Sequence, residues 1–141
     1  MKKQMKTYLT CFLLIGLAIA LSAQNRVNIY DYAKVDRYQA QNEAMLESDG
    51  KRVVFMGDSI TAGWVKKRPQ FFADNGYVGR GISGQVTHQM LIRFRSDVID
   101  LKPQAVVILA GTNDIAHNSG SVTLEAVAGN IKSMAELAQQ N

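Results

Sequence analysis

The run AVVILA, residues 105–110, constrains the fold of this chain more than any other stretch. Six consecutive uncharged aliphatic residues fit a strand that is covered on both faces of a parallel sheet. Pro103 lies just before the run and Gly111 directly after it, so residues that interrupt regular structure mark both ends. The run therefore predicts a central parallel strand, and parallel strands need long crossover connections, usually helices.

Two further strands are predicted earlier in the chain. Residues 51–56 (KRVVFM) form a β-branched and aromatic run that stops at Gly57. Tyr77 and Val78 start a second, short strand that ends at the glycines of residues 79–84 (GRGISG). The three strands thus run into the segments GDSI, GISGQ and GTND. Chemistry in parallel α/β sheets lies at the carboxyl ends of the strands, so functional residues are expected in these segments.

Apolar residues at helical spacing predict helices between the strands. Residues 31–47 form an amphipathic helix, and a second helix begins near Ser59. A third helix follows the glycine segment, carries apolar residues through 101 and is closed by Pro103. Thr123 is the predicted N-cap of a last helix. This order predicts an α/β fold with a parallel sheet and right-handed crossovers.

Residues 1–23 have the pattern of a secretory signal peptide, with three lysines before an apolar run and small residues before a cleavage site after Ala23. An uncleaved membrane anchor is the alternative, but residues 11–21 are short for a span, which needs about 20 residues. We therefore predict a mature domain of residues 24–141, exported to the periplasm or the extracellular space, without stable membrane insertion.

Composition narrows the possible partners of the mature domain. Loss of residues 1–23 removes three of the 16 Lys+Arg and none of the 12 Asp+Glu, which lowers the formal net charge from +4 to +1. The basic charge therefore indicates no nucleic-acid partner. Cys11, the only cysteine, opens the apolar run instead of closing it, which argues against a lipoprotein, and its loss leaves no thiol. His88 and His117 stand apart, so no metal site is predicted.

Residues 79–84 also match the G-x-G-x-x-G pattern of a dinucleotide-binding turn. Two features argue against that interpretation. The strand before the glycines is very short, and the next strand ends at residues 109–112 without an acidic residue to hold a ribose. A nucleotide-binding α/β domain remains an alternative.

Ser59 is a candidate nucleophile because a serine between a strand and a helix points its hydroxyl into the crevice above the sheet. The free N–H groups and partial positive charge of the helix N-terminus would stabilise an oxyanion there. The alternative is that Ser59 or Asp58 is an ordinary N-cap. Gly84 offers an unshielded backbone N–H and Asn113 a side-chain amide, although a turn glycine and a helix cap would explain them equally well.

GDSI with Ser59, GISGQ with Gly84 and AGTND with Asn113 resemble, in order and strand-end placement, three motif blocks of the SGNH, or GDSL-type, hydrolases. The resemblance covers residues 33–141. It implies a three-layer α/β/α, flavodoxin-like fold and a serine ester hydrolase that needs no cofactor. By this resemblance Ser59 is the nucleophile, and the N–H groups of Ser59 and Gly84 form the oxyanion hole with the Asn113 side chain. Ser83 matches no nucleophile position of the family.

Members of the family act mostly on acetyl-decorated glycans, lipids or small esters, so a small-molecule or glycan ester is the expected substrate. Trp64 lies close enough to Ser59 in sequence to stack on a sugar, although core packing is the alternative. A binding module that kept the crevice and lost catalysis is the rival function within the same fold.

The family's catalytic base is a histidine in a D-x-x-H motif near the C-terminus. That spacing occurs at Asp114 and His117, but it overlaps the GTND segment, so the catalytic Asp and His are expected beyond residue 141. The resemblance therefore implies a chain that lacks its C-terminal strands. An apolar strand at residues 105–110 would then leave an open edge, and we expect this polypeptide alone to be poorly soluble and nearly inactive.

Overall fold

The computed structural model describes residues 28–45 and 51–141, and the predicted signal peptide lies outside them. The chain forms, in order, α1 (Ile29–Ala33), a 3₁₀ helix (Val35–Tyr38), α2 (Gln39–Glu43), β1 (Val53–Gly57), α3 (Ser59–Lys67), α4 (Pro69–Asp74), β2 (Tyr77–Gly81), α5 (Thr87–Asp97), a second 3₁₀ helix (Ile99–Leu101), β3 (Ala105–Leu109), α6 (Thr112–Ile115) and α7 (Leu124–Gln140).

The three strands form one parallel sheet in the order β2-β1-β3. Phe55 of β1 lies opposite Gly79 of β2 and Val107 of β3, which sets the register. The predicted α/β fold with a parallel sheet is confirmed. In the described sheet β1 is the middle strand and β3 pairs with β1 alone, so residues 105–110 form an edge strand, with the open edge that the sequence predicts but without the predicted central position. Val107 is accordingly 43% exposed. An aliphatic run indicates a strand but does not fix its place in the sheet.

Helices cover both faces of the sheet, so the three-layer prediction is also confirmed. On one face, Val54 and Met56 are fully buried with Phe94 of α5 and Met134 of α7. On the other face, Phe55 packs against the aromatic side chains of α3 and α4. Among the described residues, no helix combines the length and apolar character that crossing a membrane requires.

Two glycines of the GRGISG segment lie inside β2, which is longer than predicted. A Cβ atom at Gly79 would overlap the Val65 side chain, and one at Gly81 would overlap the backbone nitrogen of Ala62. Both glycines therefore allow α3 to pack directly on β2. Only Gly84, with φ of +79°, has a turn conformation that favours glycine.

The predicted helix over residues 31–47 is interrupted. Lys34 has φ of 52°, a left-handed conformation that ends α1 and begins the first 3₁₀ helix. The carbonyl of Ala33 accepts a hydrogen bond from Gln85 Nε2 at 2.7 Å, so a tertiary contact replaces the helical one. The predicted end of this helix lies outside the described residues.

The later helices follow the sequence pattern more closely. The predicted third helix ends earlier than expected, at Asp97, and a short 3₁₀ turn carries the chain to Leu101. Lys102 then adopts φ of 48° directly before Pro103, where a right-handed helical residue is disfavoured. The predicted N-cap of the last helix is confirmed, since Thr123 Oγ1 accepts a hydrogen bond from the Ala126 N–H at 3.2 Å.

Candidate active site

Ser59 is the first residue of α3 and is exposed at the carboxyl end of β1. The N-cap of this helix is Asp58, which is 1% exposed and accepts the Ile60 N–H on Oδ1 at 2.8 Å. The capping explanation therefore applies to Asp58, and the helix does not use the Ser59 hydroxyl as its cap. This arrangement presents the hydroxyl to solvent beside the free N–H groups of the helix N-terminus.

Asn113 connects the ends of all three strands. Its Nδ2 donates to the carbonyl oxygen of Gln85 at 2.9 Å and lies 3.3 Å from Asp58 Oδ2. Gln85 follows Gly84 and Asp58 precedes Ser59, so the structure brings the three sequence-predicted residues to one place. Both partners are acceptors only, which fixes the orientation of the Asn113 amide with its NH₂ group toward the other two strand ends.

Asn118 is a site residue that sequence reasoning missed. Its Nδ2 donates to Asn113 Oδ1 at 2.6 Å, and its backbone N–H donates to the Asn113 carbonyl at 3.0 Å. Asn118 thus holds the acceptor end of the Asn113 amide. The only signal in the sequence is an amide five residues later in a short loop, which does not distinguish this residue from any other polar loop residue.

Gly84 is exposed in the loop between β2 and α5. No heavy atom outside its chain neighbours lies within 4 Å of the position that a Cβ would occupy. The loop is therefore open around the backbone of Gly84. Ser83 is also exposed in this loop, directly beside Gly84.

The Asp114–His117 spacing does not produce a carboxylate–histidine pair. Asp114 is buried, and its carboxylate accepts from the Thr87 N–H at 2.9 and 3.1 Å and from Thr87 Oγ1 at 2.6 Å. His117 is exposed, with φ of 56°. Asp114 therefore holds the first turn of α5 against the end of β3.

His88, the other histidine of the sequence, is also engaged elsewhere. Its Nε2 shares a hydrogen bond with the Tyr32 hydroxyl, and the two rings are stacked with centroids 5.6 Å apart. Within the described part of the chain, no hydrogen bond joins either histidine to Ser59. No group of three or more His, Cys, Asp or Glu side chains there has the arrangement of a metal site.

Arg93 of α5 lies fully buried beside the ends of β1 and β2, and sequence reasoning missed it as well. Its Nη2 donates to the carbonyl oxygens of Arg80 at 2.8 Å and Gly57 at 3.2 Å, and its Nε donates to Gln85 Oε1 at 2.6 Å. Its Nη1 forms an ion pair with Asp97 at 2.7 Å, with both side chains 0% exposed. One guanidinium thus ties together β1, β2 and the Gly84 loop.

Arg80 of β2 extends this network. Its Nε and Nη2 both donate to Asn42 Oδ1, at 2.9 and 2.6 Å, and its guanidinium lies 4.7 Å from the centroid of the Tyr38 ring. Burial lowers the pKa of Arg80 and of Arg93, while the carboxylate of Asp97 acts in the opposite direction. Burial likewise raises the pKa of Tyr38, whose hydroxyl donates to the Gly81 carbonyl at 2.5 Å.

Trp64 belongs to an aromatic cluster on α3 and α4, although 42% of it is exposed. It packs edge-on against Phe55 and Phe72 and stacks on Phe71 with an interplanar angle of 18°. Trp64 is therefore a packing residue with one accessible side, and that side faces an open groove that Ser59 also lines.

Comparison with known proteins identifies the family. The sequence profile of the GDSL-like lipase/acylhydrolase family matches residues 55–141. A crystal structure of a GDSL-like lipase from Bacteroides thetaiotaomicron VPI-5482 is 54% identical, with a TM-score of 0.75, and the match covers 77% of this chain. A lipase/acylhydrolase from Enterococcus faecalis is 28% identical, with a TM-score of 0.52, over 61% of this chain.

A short match also links the chain to an uncharacterised lipoprotein, YqeF, of Bacillus subtilis strain 168. The two are 50% identical over 36 residues, which cover 26% of this chain and 15% of that protein. The chain spans 54% of the length of the Bacteroides thetaiotaomicron lipase and 51% of the Enterococcus faecalis protein. Its profile match, its fold and its strand-end residues agree, and the chain belongs to the GDSL-like lipase/acylhydrolase family.

Proposed function

We propose that this chain carries the nucleophile and the oxyanion hole of a serine ester hydrolase. Ser59 is the nucleophile, and the backbone N–H groups of Ser59 and Gly84 and the amide of Asn113 bind the oxyanion. The observation that carries the proposal is the Asn113 amide, which joins the end of β3 to Asp58 and Gln85. A donor held in this way needs little reorganisation when charge develops beside it.

The proposed reaction is acyl transfer in two steps. The Ser59 Oγ attacks the carbonyl carbon of the ester, and the bond to the alcohol oxygen breaks as that oxygen takes up a proton. Water then attacks the acyl-serine and releases the acid, with the serine proton restored. The 3.3 Å contact from Asn113 to Asp58 is long for a hydrogen bond, so a substrate oxygen can compete for that donor.

We propose that the general base comes from residues beyond 141. Two observations support this proposal. The Asp114 carboxylate accepts hydrogen bonds from Thr87, and His88 forms a hydrogen bond with the Tyr32 hydroxyl. Without a base, a serine hydrolase can lose on the order of 10⁶-fold in turnover. We therefore expect residues 1–141 alone to form the acyl-serine slowly and to turn over very little.

The proposed substrate is a small ester or an acetyl group on a glycan of the cell envelope. An exposed Ser59 beside an open groove supports access by a bulky substrate. The signal-peptide pattern supports export, and so does the short match to a lipoprotein.

Acylation by p-nitrophenyl acetate tests the nucleophile without requiring turnover. Mass spectrometry of the protein is expected to find an acetyl adduct on Ser59. Ser59→Ala should abolish the adduct, whereas Ser83→Ala, in the neighbouring exposed loop, should retain it. Equal acylation of the Ser59→Ala variant, or an adduct only at other residues, would instead support a non-catalytic binding module.

A further inference from the structure

A basic recess lies beside the candidate active site, between the N-terminal segment, α3 and β2. We use the term basic recess for the cavity of 530 Å³ around Lys34, Arg37 and Lys66, whose inner wall is β2 from Gly79 to the residues just beyond its end. Neither the proposed nucleophile nor the proposed oxyanion donors line this recess, so the function proposed above does not account for it.

The charged side chains that line the basic recess are all positive. Lys34, Arg37 and Lys66 all line it, and among residues 28–45 and 51–141 no carboxylate does. The three cations are exposed, and in the described residues none of them forms an ion pair with a carboxylate. Three like charges around one cavity repel each other, and an anion placed among them removes that repulsion.

The inner wall of the basic recess adds hydrogen-bond donors. The Ile82 N–H donates to the Gly57 carbonyl, so the backbone N–H and C=O of Ile82 point toward β1. Because these groups alternate in direction along a strand, those of Gly79 and Gly81 point away from β1. The outward carbonyls of Gly79 and Gly81 already accept from Arg80 and Tyr38. The N–H groups of the same two glycines point to the same edge, so the wall offers two backbone donors to an anion.

The basic recess adjoins the proposed reaction centre along the chain, at its rim and in its α3 wall. Ser83, on its rim, directly precedes Gly84. Ala62 and Lys66, in its α3 wall, follow Ser59 by three and seven residues and therefore lie on the same stripe of the helix. At 1.5 Å of rise per residue, Lys66 is about 10 Å along the helix axis from Ser59.

We propose that the basic recess binds an anionic group, a carboxylate or a phosphate, that belongs to the ester substrate and lies about 10 Å from its reacting carbonyl. The proposal rests on the function proposed above, because it places the ester at Ser59. It assigns Lys34, Arg37 and Lys66 a role in substrate selection, and it predicts a preference for acidic over neutral esters.

Binding of the anion is tested first, without any hydrolysis. In ¹H–¹⁵N spectra of the full chain, titration with glucuronate or with inorganic phosphate is expected to shift the amide signals of Gly79, Gly81 and Ser83. The two anions separate carboxylate from phosphate recognition, since the one that binds more tightly identifies the group. The triple variant Lys34→Ala/Arg37→Ala/Lys66→Ala should lose these shifts, and Lys67→Ala, which removes an adjacent lysine outside the recess, should keep them.

The link to the substrate is tested by acylation of Ser59. A p-nitrophenyl ester with a terminal carboxylate or phosphate should acylate Ser59 faster than neutral p-nitrophenyl acetate. Lys66→Ala should reduce that advantage about two- to five-fold, as expected for one exposed ion pair, and should leave the neutral ester unaffected.

Two results would overturn the proposal. One is the absence of anion-dependent shifts, or shifts that the triple variant retains. The other is anion binding that gives the acidic esters no advantage. Loss of all acylation with normal anion binding would instead contradict the proposed function of Ser59.

Discussion

The two faces of the sheet are covered to different degrees. On the face toward α5 and α7, Val54, Met56 and Phe94 are all 0% exposed. On the face toward α3 and α4, Trp64 is 42% exposed and Phe71 is 38% exposed, although both belong to a connected aromatic cluster. The same three strands thus carry one closed interface and one partly open interface.

The closed face also supports the candidate active site. Arg93 comes from the closed face, yet it holds the carbonyls at the ends of β1 and β2 and the side chain of Gln85 in the loop between β2 and α5. Ser59, by contrast, belongs to the helix on the open face. We infer that the positions of the strand ends at the site depend on packing of the closed face. Substitutions on the open face are expected to cost less stability.

The largest expected effect follows from breaking the buried ion pair. Arg93→Ala leaves the Asp97 carboxylate buried without its cation, and such a change typically costs about 3–5 kcal/mol of unfolding free energy. Urea denaturation measures the loss. Arg95→Ala, at an exposed position on the same helix, is the control and should change stability by less than about 0.5 kcal/mol. Equal effects of the two variants would contradict the special role of Arg93.

A pair of phenylalanine truncations compares the two faces directly. Phe94→Ala removes a fully buried ring and is expected to cost about 3–4 kcal/mol. Phe71→Ala removes a ring that is 38% exposed and is expected to cost about 1 kcal/mol. Thermal or urea unfolding of both variants tests the difference. Comparable losses would mean that the aromatic cluster contributes as much stability as the closed core.

A pair of glycine substitutions tests the contact between α3 and β2. Gly81→Ala places a methyl group against the backbone of α3, within 2.7 Å of the Asp58 carbonyl, and should cost about 2 kcal/mol. Gly63→Ala has no neighbouring atom within 4 Å of the new Cβ and lies inside α3, so it should stabilise the protein by about 1 kcal/mol. Urea denaturation should give opposite signs, and two changes of the same sign would contradict this packing.

The smallest expected effect concerns the dependence of stability on pH. Burial raises the pKa of Tyr38 above its ordinary value of 10.0, so the folded state keeps this proton after the unfolded state has lost it. The contribution of this proton to the free energy of unfolding is complete below pH 10 and is lost as pH rises through the pKa of Tyr38 in the folded state. Tyr38→Phe, which retains the ring over Arg80, should therefore show a shallower loss of unfolding free energy above pH 10. Parallel curves for the two proteins would contradict this expectation.

Much of the fold follows from local sequence patterns. Residues 51–56 and 105–110 identify two strands, Thr123 identifies a helix start, and the segments after the strands identify where Ser59 and Asn113 lie. These features depend on the residue's own neighbours, since periodicity, capping and turn chemistry act over a few positions.

The remaining features depend on contacts between distant residues. The Ala33 carbonyl accepts a hydrogen bond from Gln85, which lies 52 residues later in the chain. A contact at this distance explains why no local pattern predicted the helix interruption at Lys34. The place of β3 in the sheet and the overlap of Gly79 with Val65 are likewise tertiary properties. Arg93 interrupts an apolar helix stripe in the sequence, but the strand ends that it holds are bound through the backbone carbonyls of Gly57 and Arg80, and every residue has a carbonyl.

The 55 positions that separate Asn113 from Asp58 have a consequence for the timing of biosynthesis. Ribosomes add roughly 5–20 residues per second, so the amide is made about 3–11 s after the helix that bears the serine begins. Throughout that interval the proposed nucleophile exists without the most distant of its proposed oxyanion donors. If the proposed function holds, the nascent chain is therefore unreactive toward esters until the third strand has been made, and it acquires its reactivity only together with its sheet.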